Sequence, residues 1–305
     1  MSSPTKRATA RATSPRSPGR FGGRVGSVGL LAAVAVGVAT AIRVLYNAPF
    51  EPVAFPPRLV PAVGTVAALA SGVALAAVGL STERPVVRVG LLFAGVFGVL
   101  ATVSGAATVA AAVAIPVGAA LAFARAMGPP ETYFELRRGV IALTFALAVG
   151  LSLAATAGLV GSPFRAAGSA AFLAGVTLLA VRAEGDPVAL GAGALAFAGV
   201  VAASAAAPYV TGSALLAGFA VVGSPHLLVA TAAFGGVAAA VSGFRGGDAR
   251  LAIGAVLLLL AGVPATPGAA TAVCLGAALA VLDADEFFGK ADGPDEPNAT
   301  EVNTR

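Results

Sequence analysis

Catalysis and metal binding need groups that titrate, attack or ligate, and this chain has few: one histidine, one cysteine, and 14 Asp and Glu among 305 residues. The histidine, His226, follows Gly223, Ser224 and Pro225 at the edge of a segment broken by Gly and Pro. Its imidazole is the candidate titrating group, with Pro225 and Gly223 as the residues that shape the backbone beside it. The plainer role for His226 is an interfacial polar residue that starts the next helix. Cys274 lies inside an apolar run, where it reads as a small buried side chain. A lone His and a lone Cys far apart in sequence make no metal-ligand cluster, so neither a metal nor a cofactor is expected. A serine nucleophile would need a base, and only His226 offers one. No His-Glu-x-x-His, no phosphate-binding Gly-x-x-x-x-Gly-Lys and no aspartate pair within an apolar run occurs. The chain therefore reads as no enzyme.

The elements that would hold these residues are apolar. Hydrophobic residues make up 58% of the chain and charged ones 11%, against about 25% charged in soluble domains. Residues 187–244 contain no Asp, Glu, Lys or Arg; as one helix they would extend roughly 87 Å, nearly three times a hydrocarbon core of about 30 Å. Continuous apolar runs, rather than alternating ones, exclude a membrane β-barrel. The fold class is all-α, a polytopic transmembrane helix bundle.

Three parts follow in order: a basic arm over residues 1–24, a transmembrane domain over 25–282, and a tail over 283–305 with seven acids. Both termini lack the apolar content to fold alone. Spans are expected at 25–42, 59–80, two within 89–124 turning near Ser104-Gly105, 139–161, 166–181, 187–207 and 227–244. Two short ones within 251–282 turn at Pro264 to Gly268. A short helix before 139 is expected to lead into the fifth span. The first span also resembles a signal peptide, but its 18 apolar residues exceed the usual 7 to 15. Residues 208–226 hold an apolar run too short to cross, and read as re-entrant or interfacial. That gives about ten spans.

Lys and Arg in short loops set orientation. With both termini cytoplasmic, 16 of the 19 fall inside and only Arg43, Arg58 and Arg165 outside. A crossing segment at 208–226 would worsen this to 12 against 7. The net charge of +5 is thus a topology signal, and nucleic acid is not an expected partner. No acid lies within a span, which disfavours coupling to protons or sodium through a buried carboxylate. The Asn298-Ala-Thr300 sequon would face the cytoplasm. Small-x-x-x-small spacings occur throughout and single out no one face. The two halves show no residue-level repeat.

An Arg-dominated basic set of 17 Arg and two Lys, Ala-Val-Gly spans, and the tail Asp283-Ala-Asp285-Glu286 followed by Asp292-Gly-Pro-Asp295-Glu296 complete the pattern. In these the chain resembles the uncharacterised polytopic membrane proteins of haloarchaea, a resemblance that implies a multi-pass membrane location and no functional residue. The expectation for function is a non-catalytic accessory or scaffold component of a membrane complex, with lipid and other membrane proteins as partners. The alternative is a permease for a small neutral or apolar solute, since interrupted segments line many transporter sites.

Overall fold

The computed structural model describes residues 20–46, 55–124, 133–206 and 226–282, with the side chains of 20–25, 133–135 and 226 excepted. Among the described residues there are ten α-helices and no strand. They are α1 (Arg20–Tyr46), α2 (Leu59–Leu80), α3 (Pro85–Val103), α4 (Thr108–Phe123), α5 (Tyr133–Thr156), α6 (Pro163–Leu178), α7 (Pro187–Ala206), α8 (His226–Arg245), α9 (Ala249–Ala261) and α10 (Pro267–Val281). A 3₁₀ turn, Gly105–Ala107, joins α3 to α4, and another, Leu179–Ala183, extends α6. Eight of the helical segments are long and apolar enough to cross a bilayer.

Proline punctuates the starts. Pro85, Pro163, Pro187 and Pro267 each open a helix, where the missing N–H costs nothing and the fixed φ is already helical. Inside α4, Pro116 breaks one backbone hydrogen bond, which neighbouring helices tolerate in a membrane bundle. Gly262, at φ +67°, ends α9 in a conformation that a side chain would strain.

Most helices fall within a few residues of the expected spans, with three differences, at α1 and at α5. α1 begins at Arg20, inside the stretch expected as an arm. α5 is one continuous helix from Tyr133 rather than a short helix feeding a second, because residues 133–139 contain no proline to separate them. It ends at Thr156, short of the expected 161, where Gly158 turns the chain at φ +73°. α9 and α10 are the two short helices expected around Pro264 to Gly268; with 13 and 15 residues they rise only about 20 and 23 Å, less than a full hydrocarbon core.

Large apolar side chains cover much of the exterior, while glycine and alanine line many of the helix contacts. On α3 the exposed large apolar residues are Val86, Val89, Phe93, Val96, Leu100 and Val103, a stripe at helical spacing. Its buried face is Val87, Gly90, Leu91, Ala94, Gly95 and Gly98. Such an apolar exterior fits lipid and would be a liability in water. The interior is sealed by close backbone approach. A methyl group on Gly90 would sit 2.5 Å from the Gly118 carbonyl oxygen of α4; one on Gly95, 2.8 Å from the Gly72 oxygen of α2; one on Gly254, 2.7 Å from the Gly276 oxygen linking α9 to α10. Small residues let helices meet backbone to backbone, which is the main source of association energy where lipid is as apolar as leucine.

At the centre stands α10. Every residue from Ala270 to Val281 is buried, enclosed by α1, α2, α3, α4, α5 and α9. α7 is the opposite case: it packs chiefly on α8 and only 17% of its apolar window is buried.

Candidate functional site

The α9–α10 hairpin stops inside the bundle. The Thr40 hydroxyl of α1 donates to the Leu260 carbonyl near the end of α9 (3.0 Å). From that level α1 continues six residues to Tyr46, about 9 Å. A methyl on Gly268 would press against the Ala68 Cβ of α2 at 2.5 Å, and Ala68 lies nine residues inside α2, about 13 Å from its start. The turn between α9 and α10 is therefore recessed by roughly 9–13 Å below the ends of α1 and α2. Its backbone is irregular and Gly262, Val263 and Pro264 are buried. The Ala265 amide donates to the Val263 carbonyl (2.7 Å), and the Thr266 hydroxyl caps α10 by accepting from the Ala269 amide (3.3 Å). Non-helical backbone at membrane depth is tolerated where it is packed in protein or lines a cavity.

A cavity of about 260 Å³ lies over this turn. Its walls are Val36, Ala39 and Thr40 of α1, Gly64, Ala67 and Ala68 of α2, the end of α9, and the first turn of α10. Arg43 is the ionisable group among the lining residues. The position a Gly64 Cβ would take lies 3.9 Å from an Arg43 Nη, so the guanidinium rests along the wall against α2. Among the described residues no carboxylate pairs with Arg43. Among the described residues the lining offers a cation and two hydroxyls, and no general base stands beside a nucleophile there.

The opposite end of the bundle is ion-paired. Arg137 of α5 meets Glu184 beyond α6. Arg245, ending α8, bonds through Nε to Asp186 Oδ2 (3.1 Å). The other oxygen of Asp186 accepts from the Val188 and Ala189 amides (3.0 and 3.2 Å), capping α7. The amide of Ala189 first, then that of Val188 and the Arg245 guanidinium, hold the Asp186 carboxyl below the usual carboxylate range.

This pairing also fixes the sense of two helices. The last residue of α8 bonds the residue before α7, and a methyl on Gly193 of α7 would contact Phe234 and Ala238 of α8. The two run antiparallel, so Ala206 and His226 lie at the same end of the bundle. Of the candidates read from sequence, His226 is the first residue of α8. Gly223, Pro225, the rest of residues 208–226 and the sequon at Asn298 lie outside the described residues. Cys274 is buried on α10. Among the described residues no three His, Cys, Asp or Glu side chains gather around one point.

Sequence reasoning did not single out the Arg43 cavity. Two signals bear on it: 32 uncharged residues broken at Pro264–Gly268 are too few for two full spans and a turn, and Arg43 is one of only three cations on its side of the topology.

Comparison with curated proteins gives no match, and comparison with solved structures gives none. The model of one family covers residues 26–281, from the start of the apolar part of α1 to the last residue of α10. With eight membrane-length helices and a lipid-fitted exterior, the chain belongs to the integral membrane family of unknown function DUF8068.

Proposed function

We propose that this multi-pass membrane protein is a non-catalytic accessory or scaffold component of a membrane complex, with both termini on the cytoplasmic side of the cell membrane. The observation that carries the reading is a face of α7 that no other described residue covers. Gly191, Ala194, Leu195, Ala198, Gly199 and Ala202 are exposed along one side, and methyl groups on Gly191 and Gly199 would meet open space. Elsewhere in this chain the same small residues bring helices into backbone contact. An outer helix with such a face uncovered among the described residues suits the docking of a helix from another membrane protein. A photoreactive residue at position 195 should yield discrete protein adducts in native membranes, and one at Val113 on the lipid face of α4 should yield lipid adducts alone. Gly199→Leu should abolish the adduct at 195. Lipid adducts alone at both positions would sink the reading.

The orientation rests on the Lys/Arg imbalance. An impermeant thiol reagent should label Ser104→Cys on intact cells and Ser81→Cys only after permeabilisation; the reverse pattern would invert the topology.

The second reading, a permease, is supported by the recessed α9–α10 turn and the cavity above it, because interrupted helices line many transport sites. Saturable flux of a small neutral solute into proteoliposomes would support it.

A further inference from the structure

From the cavity over the recessed α9–α10 turn we infer a binding site for an oxyanion head on a short apolar stem, held by Arg43. The cavity volume of about 260 Å³ equals that of roughly nine waters at about 30 Å³ each, room for a carboxylate or phosphodiester head and a few carbons. The head is anionic because the described lining carries one ionisable group, a guanidinium, whose planar fork matches two oxygens at once. The recess sharpens this, since low-dielectric walls focus the field of a charge inside a cleft. The stem is apolar because Val36, Ala39, Ala67 and Leu260 form the deeper walls. Specificity for a single negative charge follows from a single cation. This ligand class differs from a neutral solute, and the site stands whether or not α7 docks a partner.

The irregular turn explains why the space is there. A helix pair of full length would fill the gap between α1 and α2, whereas 13 and 15 residues leave it open above Val263 and Thr266. Gly64 keeps the α2 wall flat against the Arg43 side chain.

Two sources can present this chemistry, a soluble short-chain carboxylate and an anionic lipid headgroup. The full chain, purified in nonionic detergent and freed of lipid, is titrated calorimetrically with pentanoate and separately with dihexanoyl phosphatidylglycerol. Saturable binding of either supports the site; binding of pentanoate alone assigns a soluble solute, and binding of the lipid alone assigns a headgroup. Arg43→Gln should weaken binding tenfold or more, and Arg43→Lys, which keeps the charge and loses the fork, should fall between. Gly64→Leu should block binding with an unchanged melting temperature, since its Cβ has room and its branch enters the cavity. The inference is overturned if neither probe binds saturably. It is equally overturned if Arg43→Gln and Gly64→Leu bind like the parent, Arg43 then being only an arginine whose head reaches for the membrane surface.

Discussion

Replacing Gly90 with alanine tests the packing logic of the whole bundle. The added methyl would lie 2.5 Å from the Gly118 carbonyl oxygen and 2.6 Å from the Ala122 nitrogen, both backbone atoms of α4. Neither can move aside by changing a rotamer. Ordinary carbon contacts begin at 3.4 Å, so α3 and α4 must part by about 0.9 Å along that line. A gap of that size forfeits a quarter to a half of the roughly 0.1–0.2 kcal/mol that each facing atom pair contributes. Over some tens of pairs the loss is about 2 kcal/mol, inside the range of about 1–3 kcal/mol seen for overpacked interiors. Alanine's better helix propensity returns at most about 1 kcal/mol. The net expectation is a destabilisation of about 1–2 kcal/mol. Gly150→Ala is the control: its methyl would meet nothing nearer than the Pro116 Cβ at 3.8 Å, so only the propensity gain remains. Reversible unfolding in mixed SDS and dodecyl maltoside micelles measures both. Combining Gly90→Ala with Gly118→Ala should cost less than the sum, because each forces the same two helices apart. If Gly90→Ala proves as stable as Gly150→Ala, the close α3–α4 approach is not what holds those helices.

Other outcomes follow from the same structure. Phe145 and Phe172 are fully buried and meet edge to face at 6.2 Å; Phe145→Ala leaves a cavity of about 100 Å³, and with lipid removing most of the transfer cost the cavity term of about 24 cal/mol per Å³ leaves a loss of about 2 kcal/mol in the same titration, and a cost near zero would mean that α5 and α6 collapse into the space. Cys274 is 1% exposed on the central helix, so maleimide should not label it in the folded protein and should label it at the rate of global opening; rapid native labelling would contradict a buried α10. Asp186→Ala removes the α7 cap and the bond to Arg245, and should lower the melting temperature at pH 7. Because the folded pKa of Asp186 lies below its ordinary value of about 3.9, the contribution is complete above about pH 4 and fades as pH falls through the folded value. The melting difference between parent and variant should therefore shrink in acid, and a difference unchanged down to that range would remove Asp186 from the account.

Glycine contacts of this kind account for the density of the fold. Backbone meets backbone at Gly72/Gly95, Gly90/Gly118 and Gly254/Gly276, linking α2–α3, α3–α4 and α9–α10. The charged residues of the ion pairs stay at one end, where Arg137–Glu184 and Arg245–Asp186 tie the ends of α5 to α8 together.

Much of this architecture is dictated by composition and run length. A backbone in hydrocarbon must satisfy its own hydrogen bonds, so long uncharged runs become helices. Charges, prolines and glycines mark their ends, as at Pro85, Pro163 and Pro187. Membership of the membrane class and the number of helices were legible for that reason. Which helix goes where was not. α7 and α10 are both built of Ala, Gly, Val and Leu, yet one hangs on the outside and the other is the core. In water, burial sorts apolar from polar faces; in lipid both faces are apolar, and only shape decides which packs. Small-x-x-x-small spacings abound in the chain, and the fold alone selects those used within the bundle and leaves the stripe on α7 uncovered among the described residues. His226, Gly223 and Pro225 stood out by residue type. Arg43, Thr40, Gly64 and Thr266 did not, because they come from separate stretches of the chain and share a cavity only once a hairpin too short to cross is recessed between α1 and α2.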